Sequence, residues 1–477
     1  MRSFSFEALR HAGIKEFSAY MVALEAWRRG LDVTFYTPRS FASRAIKLRK
    51  TKSHIGNAFS ISDGKNIHFF FKSRGDKNPF SSFGNTASKV KALSLLRNES
   101  VSAPVGHVVS TSASKEELLG VAADIGWPLV VKPTNSGQGK GVFVGLESEN
   151  DYLEAVAHIK NNLVCERILV ERFYKGDDLR VYIIGDRVAG VLLRRPAQVV
   201  GDGESSILAL IDKKNKERLE NPYLNRKLIK FDGEVARNLK KQGFSESSIP
   251  DRSTVVRLRS EANLSKGGDS IIVTDKIPEY VKELAVKACR ATGLVHGGVD
   301  IIFDLEAPDD SDAVVLELGS AAEFGMMFPT EGSPVDLASE LVDFYFPESI
   351  GSKSANSSYY FDLGKIRQIL HDGAVGKVSL PRLSTDCQEL LVFGDELAER
   401  QEKKFIALAE IFGLDGYVKR LESGGFEAVF SGSPSVLKKI KNVLQKNFAF
   451  NHSEVREHGG FDIWPGFKVL GGDVFNL

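Results

Sequence analysis

Alternating strand-like and helical runs between Lys89 and Pro347 constrain the fold of this chain more than any other feature. The strand-like runs include "WPLVVKP", "RILVERF", "VAGVLLRRP" and "GGVDIIFDL", and the helical ones include "KVKALSLLR" and "PEYVKELAVKACRAT". This mixture predicts a body of the α/β or α+β class. At 477 residues the chain is too long for one compact core, so we expect two or three domains.

Shorter patterns on either side of this body predict further domains. "AYMVALEAWRRG" has helical spacing and ends in glycine, "LDVTFYT" follows as a strand, and "FSISDGKNIHFFFKS" predicts a hairpin turning at Asp63 and Gly64. We expect a small α/β unit at 1–87 and the main body at 88–350. The serine-rich "PESIGSKSANSSYY" predicts a linker over 351–384, followed by a separate unit at 385–477.

Composition excludes several classes of protein. The chain has 63 basic and 62 acidic residues, a balance that argues against a general nucleic-acid binder and gives no reason to expect membrane attraction. Cys165, Cys289 and Cys387 are widely spaced, so neither a disulfide framework nor a zinc site is indicated. No apolar run reaches the roughly 20 residues that span a bilayer. We expect a cytoplasmic protein in a reducing compartment.

Two acids interrupt apolar strands near the end of the body. Glu317 lies in "VVLELGSAAEF", which predicts a buried strand, and Asp300 interrupts "GGVDIIFDL" in the same way. Burying a carboxylate costs several kcal/mol unless a partner compensates it. If the two strands pair, the carboxylates lie near each other and favour a cation between them, for which Mg²⁺ is suited. The alternative is two structural acids with separate hydrogen-bond partners.

A glycine-rich loop is the first candidate for anion binding. In "VVKPTNSGQGKGVFVG" two strands flank Gly137, Gly139 and Gly141, whose backbone N–H groups could approach an anion without obstruction by a Cβ. Lys132 would add a positive charge at the end of the first strand. The alternative is a flexible glycine hairpin. The loop is neither a Walker A motif nor a Rossmann fingerprint, because GK[ST] is absent and a strand follows it.

Charged residues at strand ends form the next candidates. "ILVERFYKGDDLRVYIIGDRVAGVLLRRP" brings together Glu171, Asp178, Arg180 and Arg194, which suit nucleotide contacts and bidentate recognition of carboxylate or phosphate. "LRSEANLSKGGDSIIVTD" offers hydroxyl, amide and glycine donors to an anion. The alternative for each charge is a solvated hairpin face.

The ordered succession of these motifs resembles the ATP-grasp ligases. Together "VVKP", the glycine loop, "ILVERF", "VVGDGESSI", "LKKQGFSESSIP", "LRSEANLSKGGDSIIVTD", "GGVDIIFDL" and "VLEL" are similar to the ligase module of bifunctional glutathione synthetases and to cyanophycin synthetase. The resemblance covers roughly Ser88 to Pro347, and the succession is more specific than any single motif.

The resemblance implies an enzyme that holds ATP between two antiparallel sheets. It would phosphorylate a carboxylate to an acyl phosphate, which an amine then attacks to give an amide, ADP and phosphate. We expect amino acids or small peptides as substrates and ATP and Mg²⁺ as cofactors, with no nucleic-acid or membrane partner. A homodimer is left open.

The resemblance also implies roles for individual residues. ATP phosphates would be contacted by Lys89 and Lys132 and covered by a loop containing Gly137, Gly139 and Gly141, while adenine and ribose would be contacted by Glu171 and Asp178. The carboxylate substrate and its acyl phosphate would be bound by Arg180, Arg194, Arg259, Asn263 and Ser265. Mg²⁺ would be ligated by Asp300 and Glu317.

The sequence departs from this family at the metal strand and in its modules. Gly319 stands where the family has a ligating asparagine, so one metal ion would be held more weakly, or water or Glu323 would replace the ligand. The glutamate–cysteine ligase module of the glutathione enzymes and the Mur-ligase-like module of cyanophycin synthetase are both absent, so neither product is indicated. The alternative function is a catalytically weakened protein that binds nucleotide and acts as a regulatory or interaction module.

The tail from about Cys387 is similar to acylphosphatases, which are small ferredoxin-like α/β domains. Strand, helix, the "GLDGYV" turn and a further strand follow one another in the expected order. In an ungapped reading, Glu402 and Arg420 occupy the positions of the arginine and asparagine that acylphosphatases use, although a shifted register would offer Arg400. We therefore expect a binding, dimerisation or product-shaping role, with acyl-phosphate hydrolysis as the third functional possibility.

Overall fold

The structure is a computed structural model of the 477-residue chain. It describes residues 9, 12–13, 15–37, 55–135, 141–163, 165–308, 312–352, 354, 356–357, 359–371, 375–380, 388–394, 399–421, 425–447, 452–457 and 467–470. Contacts divide the chain into two compact units, one formed by 76–337 and the other by 1–75 together with 338–477. The domain boundaries at 87, 350 and 384 stay predictions.

Helices and strands alternate along both units. The described α-helices are α1 (Phe17–Arg28), α2 (Phe80–Ala87), α3 (Lys89–Asn98), α4 (Lys115–Ile125), α5 (Glu149–Asn162), α6 (Ile207–Leu219), α7 (Gly233–Lys241), α8 (Glu279–Thr292), α9 (Leu337–Tyr345), α10 (Leu363–His371), α11 (Glu399–Phe412) and α12 (Pro434–Asn447). The described strands are β1 (Asp32–Tyr36), β2 (Ala58–Ser62), β3 (Ile67–Phe71), β4 (Arg74–Gly75), β5 (Gly106–Ser110), β6 (Leu129–Pro133), β7 (Phe143–Leu146), β8 (Arg167–Arg172), β9 (Asp177–Ile184), β10 (Arg187–Arg195), β11 (Gln198–Val200), β12 (Val255–Arg257), β13 (Asp269–Ile272), β14 (His296–Phe303), β15 (Val314–Gly319), β16 (Lys377–Ser379), β17 (Gln388–Gly394), β18 (Asp415–Arg420), β19 (Phe426–Gly432), β20 (His452–Glu457) and β21 (Phe467–Leu470).

The large sheet of the unit 76–337 has the strand order β13-β10-β9-β14-β15, and all its neighbouring strands are antiparallel. One face packs on α8 through a core that includes Val181, Val299 and Ile301 from the sheet and Val281 and Ala285 from the helix. Because strand side chains alternate between faces, the intervening residues lie on the opposite face. We call that opposite face the open face, and it carries the charged candidates.

A β-bulge at Leu316 sets which face Glu317 occupies. Val315 and Glu317 pair with consecutive residues of β14, so Leu316 is an extra residue in the ladder. Strict alternation from the buried Val315 would turn Glu317 into the core. The extra residue turns it to the open face instead, directly opposite Asp300, and returns Leu318 to the core. The strand pairing agrees with the prediction, but the predicted burial of Glu317 is wrong, since its side chain is exposed.

The small sheet of the same unit has the order β5-β8-β6-β7. Helices α4 and α5 cover one of its faces, and their core includes Leu129, Val131, Ile168 and Val170 from the strands. Both helices begin where a serine hydroxyl accepts a hydrogen bond from a backbone N–H, which supplies the usual N-cap. The other face carries the residues between these apolar positions, Lys132 and Glu171 among them.

In the unit formed by 1–75 and 338–477, one sheet has the order β16-β1-β2-β3-β4 and packs on α1. The predicted helix, strand and hairpin of the N-terminal region are all present as α1, β1 and the β2–β3 pair. Helix α1 is buried along its whole length. That burial explains why its apolar side chains are not confined to one stripe.

The region 351–384, predicted as a linker, differs from that expectation. It contains α10 and β16, and β16 pairs with β1. Tyr359 and Tyr360 are completely buried, the Arg28 Nε donates to the Tyr359 carbonyl oxygen at 2.8 Å, and the Arg28 guanidinium lies 4.1 Å from the Tyr360 ring centroid. This stretch therefore contributes to a core despite its serine content.

The second sheet of that unit has the order β20-β17-β19-β18-β21, with helices α11 and α12. Along the chain its elements follow the order βαββαβ before β21 adds a parallel edge strand. Leu390, Phe405, Phe430 and Ile440 contribute to a separate core cluster. The predicted succession of strand, helix and strand is present, and the likeness to acylphosphatases stays a prediction.

None of the helices in the described ranges combines the length and the apolar character needed to cross a membrane.

The buried aromatics of 351–384 generate the first testable prediction. Tyr360→Ala should lower the free energy of unfolding by about 3 to 5 kcal/mol, because it removes a large buried ring and leaves a cavity beside Arg28. Urea unfolding followed by circular dichroism measures the change. Gln368→Ala, at an exposed position of α10, is the control and should shift stability by less than about 0.5 kcal/mol. Equal, small effects of both substitutions would support the linker interpretation.

Candidate active site

The open face of the large sheet brings five predicted site residues into two adjacent rows. Asp300 on β14 lies directly opposite Arg180 on β9 and, on its other side, opposite Glu317 on β15. In the next row Arg194 on β10 lies opposite Asp178 on β9. Antiparallel pairing therefore places side chains that are far apart in sequence next to one another.

These charges form one connected network. Arg180 donates two hydrogen bonds to Asp300, one of them from Nη2 to Oδ2 at 3.0 Å. Arg194 donates to Asp178 from Nε at 3.0 Å, and its Nη2 lies 3.1 Å from the Asp300 Oδ2. Asp300 thus faces two guanidinium groups, and positive and negative charges alternate across the face.

The two arginines keep Asp300 ionised. Burial disfavours the charged carboxylate, but the Coulomb attraction of Arg180 and Arg194 outweighs it and lowers the pKa of Asp300 below its ordinary value. For Asp178, burial and the nearby Asp300 charge raise the pKa in spite of Arg194. Burial opposes the charge of Arg194 as well, yet the two acids raise its pKa. The arginines thus favour the ionised form of Asp300, whereas the surroundings of Asp178 favour its neutral form.

Asp300 and Glu317 are the candidates for holding Mg²⁺. Across the described ranges, no group of three or more His, Cys, Asp or Glu side chains is arranged to hold a metal ion. Two carboxylates on directly opposed residues still suit Mg²⁺, which takes one or two protein carboxylates and completes its shell with water and phosphate oxygens. The donor set fits the ion when a nucleotide supplies the remaining ligands.

Gly319 lies two residues beyond Glu317 on the same strand, and hence on the same face. A Cβ added at Gly319 would meet no heavy atom within 4 Å. The position where the ATP-grasp resemblance implies an asparagine is therefore open space, with room for a side chain or for water.

Glu323, the other suggested replacement for that ligand, is held by a neighbouring segment. Its Oε2 accepts a hydrogen bond from the Tyr223 hydroxyl at 2.5 Å and from the Lys227 Nζ at 3.2 Å. Lys227 also lies 3.3 Å from the centroid of the Tyr223 ring. Burial lowers the pKa of Lys227 even though Glu323 opposes this, and burial together with Glu323 raises the pKa of Tyr223.

Sequence patterns did not single out Tyr223 or Lys227. They belong to "NPYLNRKLIK", which has neither strand nor helix periodicity and forms turns in the structure. The signal in the sequence is weak, consisting of an aromatic and a cation four residues apart. Their partner Glu323 is distant in sequence, so only the tertiary fold shows the contact.

On the small sheet, Lys132 and Glu171 form an ion pair with 2.5 Å between Nζ and Oε2. Both side chains are largely buried. The second carboxylate oxygen of Glu171, Oε1, is buried and has no hydrogen-bond partner within the part of the chain that the structure describes. A buried acceptor without a donor is costly, which makes this oxygen a candidate for a ligand contact.

The remaining predicted phosphate contacts lie around this sheet. Lys89 is the first residue of α3. Gly141 lies two residues before β7 and has a positive φ of 75°, which favours glycine. Gly137 and Gly139 lie outside the described residues, so the predicted loop closure stays a prediction.

The loop after β12 presents its candidates differently. Arg259 is buried and pairs with Asp232 at 2.6 Å and with Glu234 at 2.5 Å, at the start of α7. Asn263 accepts a hydrogen bond from the backbone N–H of Ser265 and so caps a short 3₁₀ helix. Arg259 is thus tied to the start of α7, whereas Asn263 and the backbone of Ser265 contact each other within the loop.

In the C-terminal sheet the structure pairs the two residues that the acylphosphatase resemblance singled out. Arg420 Nη2 lies 2.7 Å from Glu402 Oε1. The side chain of Arg400 lies outside what the structure describes. A carboxylate at the expected arginine position does not favour phosphate binding there.

Comparisons with known proteins show that part of this chain is similar to ATP-grasp enzymes. Residues 86–204 match the RimK-like ATP-grasp domain family. The glutathione biosynthesis bifunctional protein of Clostridium perfringens is 30% identical over 339 residues, which are 69% of this chain and 41% of that protein. A cyanophycin synthetase of Crocosphaera subtropica is 33% identical over 265 residues, which are 54% of this chain and 30% of that protein.

Among solved structures, the bifunctional glutathione synthetase from Pasteurella multocida matches with a TM-score of 0.48 and 27% identity, over 61% of this chain and 41% of that one. The chain spans less than half the length of the Clostridium and Crocosphaera relatives. The resemblance to ATP-grasp ligases that was inferred from the motifs is confirmed over residues 86–204, which match the RimK-like ATP-grasp domain family.

Proposed function

We propose that the protein is an ATP-dependent ligase that joins a carboxylate to an amine, with amino acids or small peptides as substrates. The observation that supports this proposal most is the charged network of the open face, in which Asp300 lies between two guanidinium groups and opposite Glu317. Phosphoryl transfer depends on positioning and charge neutralisation, and such a network supplies both. The ATP-grasp motifs on either side point to the same reaction.

The first chemical step would form an acyl phosphate. A carboxylate oxygen attacks the γ-phosphorus of ATP, the bond to the bridging oxygen breaks, and ADP leaves with the electron pair. Arg180 and Arg194 would orient the carboxylate and stabilise the phosphoryl charge, since guanidinium groups recognise both anions in a bidentate manner. We assign Arg259, Asn263 and Ser265 to the edge of this site as supports of its loop, in view of their local contacts.

The nucleotide would lie against the open sides of both sheets. Lys132 and Lys89 would neutralise phosphate charge, and the glycine loop around Gly141 would cover the phosphates. The buried Glu171 Oε1 would accept a hydrogen bond from the adenine amino group, which gives that oxygen the donor it lacks in the described chain. Asp178, which pairs with Arg194, would contact the ribose.

Asp300 and Glu317 would hold Mg²⁺, which when bound neutralises the charge of the β- and γ-phosphates. These two residues keep carboxylate oxygens on the face where the phosphates would lie. Arg180 and Arg194 both contact Asp300 and favour its ionised form, since they lower its pKa against the effect of burial.

In the second step an amine would attack the acyl phosphate. The nitrogen lone pair forms a bond to the acyl carbon, the carbon–oxygen bond to phosphate breaks, and phosphate leaves with that electron pair while the nitrogen gives up a proton. The open face has to keep water away from this intermediate. We propose that the unit predicted at 385–477 does not hydrolyse the acyl phosphate. Glu402 lies where a phosphate-binding arginine would be needed, and it pairs with Arg420.

Release of phosphate from ATP tests the proposed function. The protein is incubated with ATP, Mg²⁺ and mixtures of the standard amino acids, and products are identified by mass spectrometry. A ligase releases phosphate only when both a carboxylate and an amine are present. No substrate-dependent release in any mixture would favour the alternative, a nucleotide-binding regulatory module.

Glu317→Gln should reduce ATP turnover by more than about 100-fold, the upper end of the effect seen for residues that only support metal ligands. Because Glu317 is exposed, the fold and the unfolding midpoint should stay unchanged. Phosphate release at saturating amino-acid substrates measures the loss. Glu331→Gln, a substitution at another exposed glutamate of the same unit, is the matched control and should keep wild-type turnover. Retained turnover in Glu317→Gln would contradict the metal assignment.

Gly319→Asn should lower the Mg²⁺ concentration that gives half-maximal turnover, because it adds an oxygen ligand in open space beside Glu317. The expected change is about tenfold, the lower end of measured ligand-environment effects on metal affinity. Titration of Mg²⁺ at fixed ATP gives the midpoint, and Gly319→Ala controls for the added bulk. An unchanged midpoint in Gly319→Asn would indicate that this position does not face the ion.

A further inference from the structure

We propose that Glu323 binds the ammonium group of the amine substrate and places that substrate beside the acyl phosphate held at Arg180. The inference rests on the proposed ligase function and deepens it by assigning one subsite to one residue. The sequence resemblance assigns no such role to this position.

The loop after β15 folds back over the open face of the large sheet. Phe324 packs edge to face on Tyr182, with 5.8 Å between ring centroids, and Tyr182 lies directly opposite Gly298 in the sheet. A Cβ added at Gly298 would lie 2.9 Å from the Ala322 Cβ and 2.9 Å from the Arg180 Cδ. Only glycine allows this close approach, which brings the residues on both sides of Glu323 to the location of Arg180.

Glu323 itself is exposed but anchored. Its side chain is 48% exposed, whereas Lys227, which contacts it, is only 3% exposed. Both Tyr223 and Lys227 donate to the same oxygen, Oε2. Two donors from one rigid segment fix the direction of the carboxylate and preorganise it for a ligand, which lowers the entropy cost of binding.

The anchoring segment is itself tightly placed. Gly325 lies against the Tyr223 ring so closely that an added Cβ would come within 2.8 Å of the ring atom Cε1. The Lys227 Nζ also contacts this ring, at 3.3 Å from its centroid. The loop and the Tyr223 segment are thus in contact at two places, and Glu323 cannot swing away without breaking both.

The charge at this position suits an amine. The open face carries the guanidinium groups of Arg180 and Arg194, which pair with Asp300 and Asp178 and which the proposed function assigns to anionic groups of the substrate. Glu323, whose neighbours Ala322 and Phe324 contact this face, adds a carboxylate that Tyr223 and Lys227 hold through Oε2. An ammonium group is a complementary ligand for a carboxylate. Once the bound ammonium group has released one proton to solvent water, the amine nitrogen has a lone pair and already lies next to the acyl phosphate. Proximity then converts a bimolecular step into an effectively unimolecular one.

The test compares two nucleophiles on the full-length protein. Hydroxylamine is uncharged at neutral pH and traps an acyl phosphate as a hydroxamate, so it needs no ammonium site. The standard amino acids are first screened singly with ATP, Mg²⁺ and hydroxylamine to find a carboxylate donor, and then in pairs to find an amine acceptor. Kinetic constants for hydroxylamine and for that amino-acid acceptor are then measured in the wild type and in Glu323→Gln.

Glu323→Gln should raise the KM for the amino-acid acceptor by about 10- to 100-fold, the range for one lost charge-assisted hydrogen bond. Hydroxamate formation should change by less than about twofold, because glutamine keeps an acceptor for Tyr223 and preserves the loop. Tyr223→Phe, which retains the ring packing but loses the hydroxyl, should raise the same KM by a smaller factor. Glu331→Gln is the matched control and should leave both nucleophiles unaffected.

The outcomes separate the two proposals. If the wild type forms neither hydroxamate nor amide with any amino acid, the ligase proposal fails and this inference fails with it. If the wild type is active and Glu323→Gln uses the amino-acid acceptor normally, only the inference is overturned. An equal loss with both nucleophiles would also overturn it, because it would show that Glu323 is a structural contact of the loop.

Discussion

The charge balance around Asp300 is the constraint on which the rest of the site depends. An isolated carboxylate on a half-buried sheet would be costly, and the neighbouring strands solve this with two guanidinium groups from β9 and β10. The same pairing ties three adjacent strands together through their side chains as well as their backbones. Because Asp178, Arg180, Arg194 and Asp300 are joined by ion pairs, removing any one of these four charges leaves a partner uncompensated.

Most elements of the fold could be predicted from periodicity, since long runs with a clear strand or helix pattern leave little ambiguity. The exception at 351–384 has a physical cause. Its serines suggested a linker, but "YYF" places three aromatics where α1 offers a fully buried surface. Local composition indicates only how exposed a segment of that kind is on average. The burial of these rings depends instead on packing against α1, which is more than 300 residues away in the sequence.

The site residues that could be predicted from the sequence are the charged residues that lie within regular strand patterns. Acids and arginines that interrupt apolar runs stand out, and Asp178, Arg180, Arg194 and Asp300 do lie together. Tyr223 and Lys227 could not be found in this way, because they belong to turns and act through a distant loop. Arg259 shows the opposite difficulty, since its nearest charges, Asp232 and Glu234, begin a neighbouring helix and bind it locally.

The bulge at Leu316 affects which substitutions this sheet can accept during evolution. The bulge shifts the alternation of side chains between the two faces along β15. As a result Val315 and Leu318 lie in the core, whereas Glu317 and Gly319 lie on the open face. A replacement at 319 therefore meets no packing penalty, as the empty space around it shows. Side chains that could ligate a metal ion can therefore be gained or lost on this strand by single substitutions. The packing of the hydrophobic core stays the same when they change.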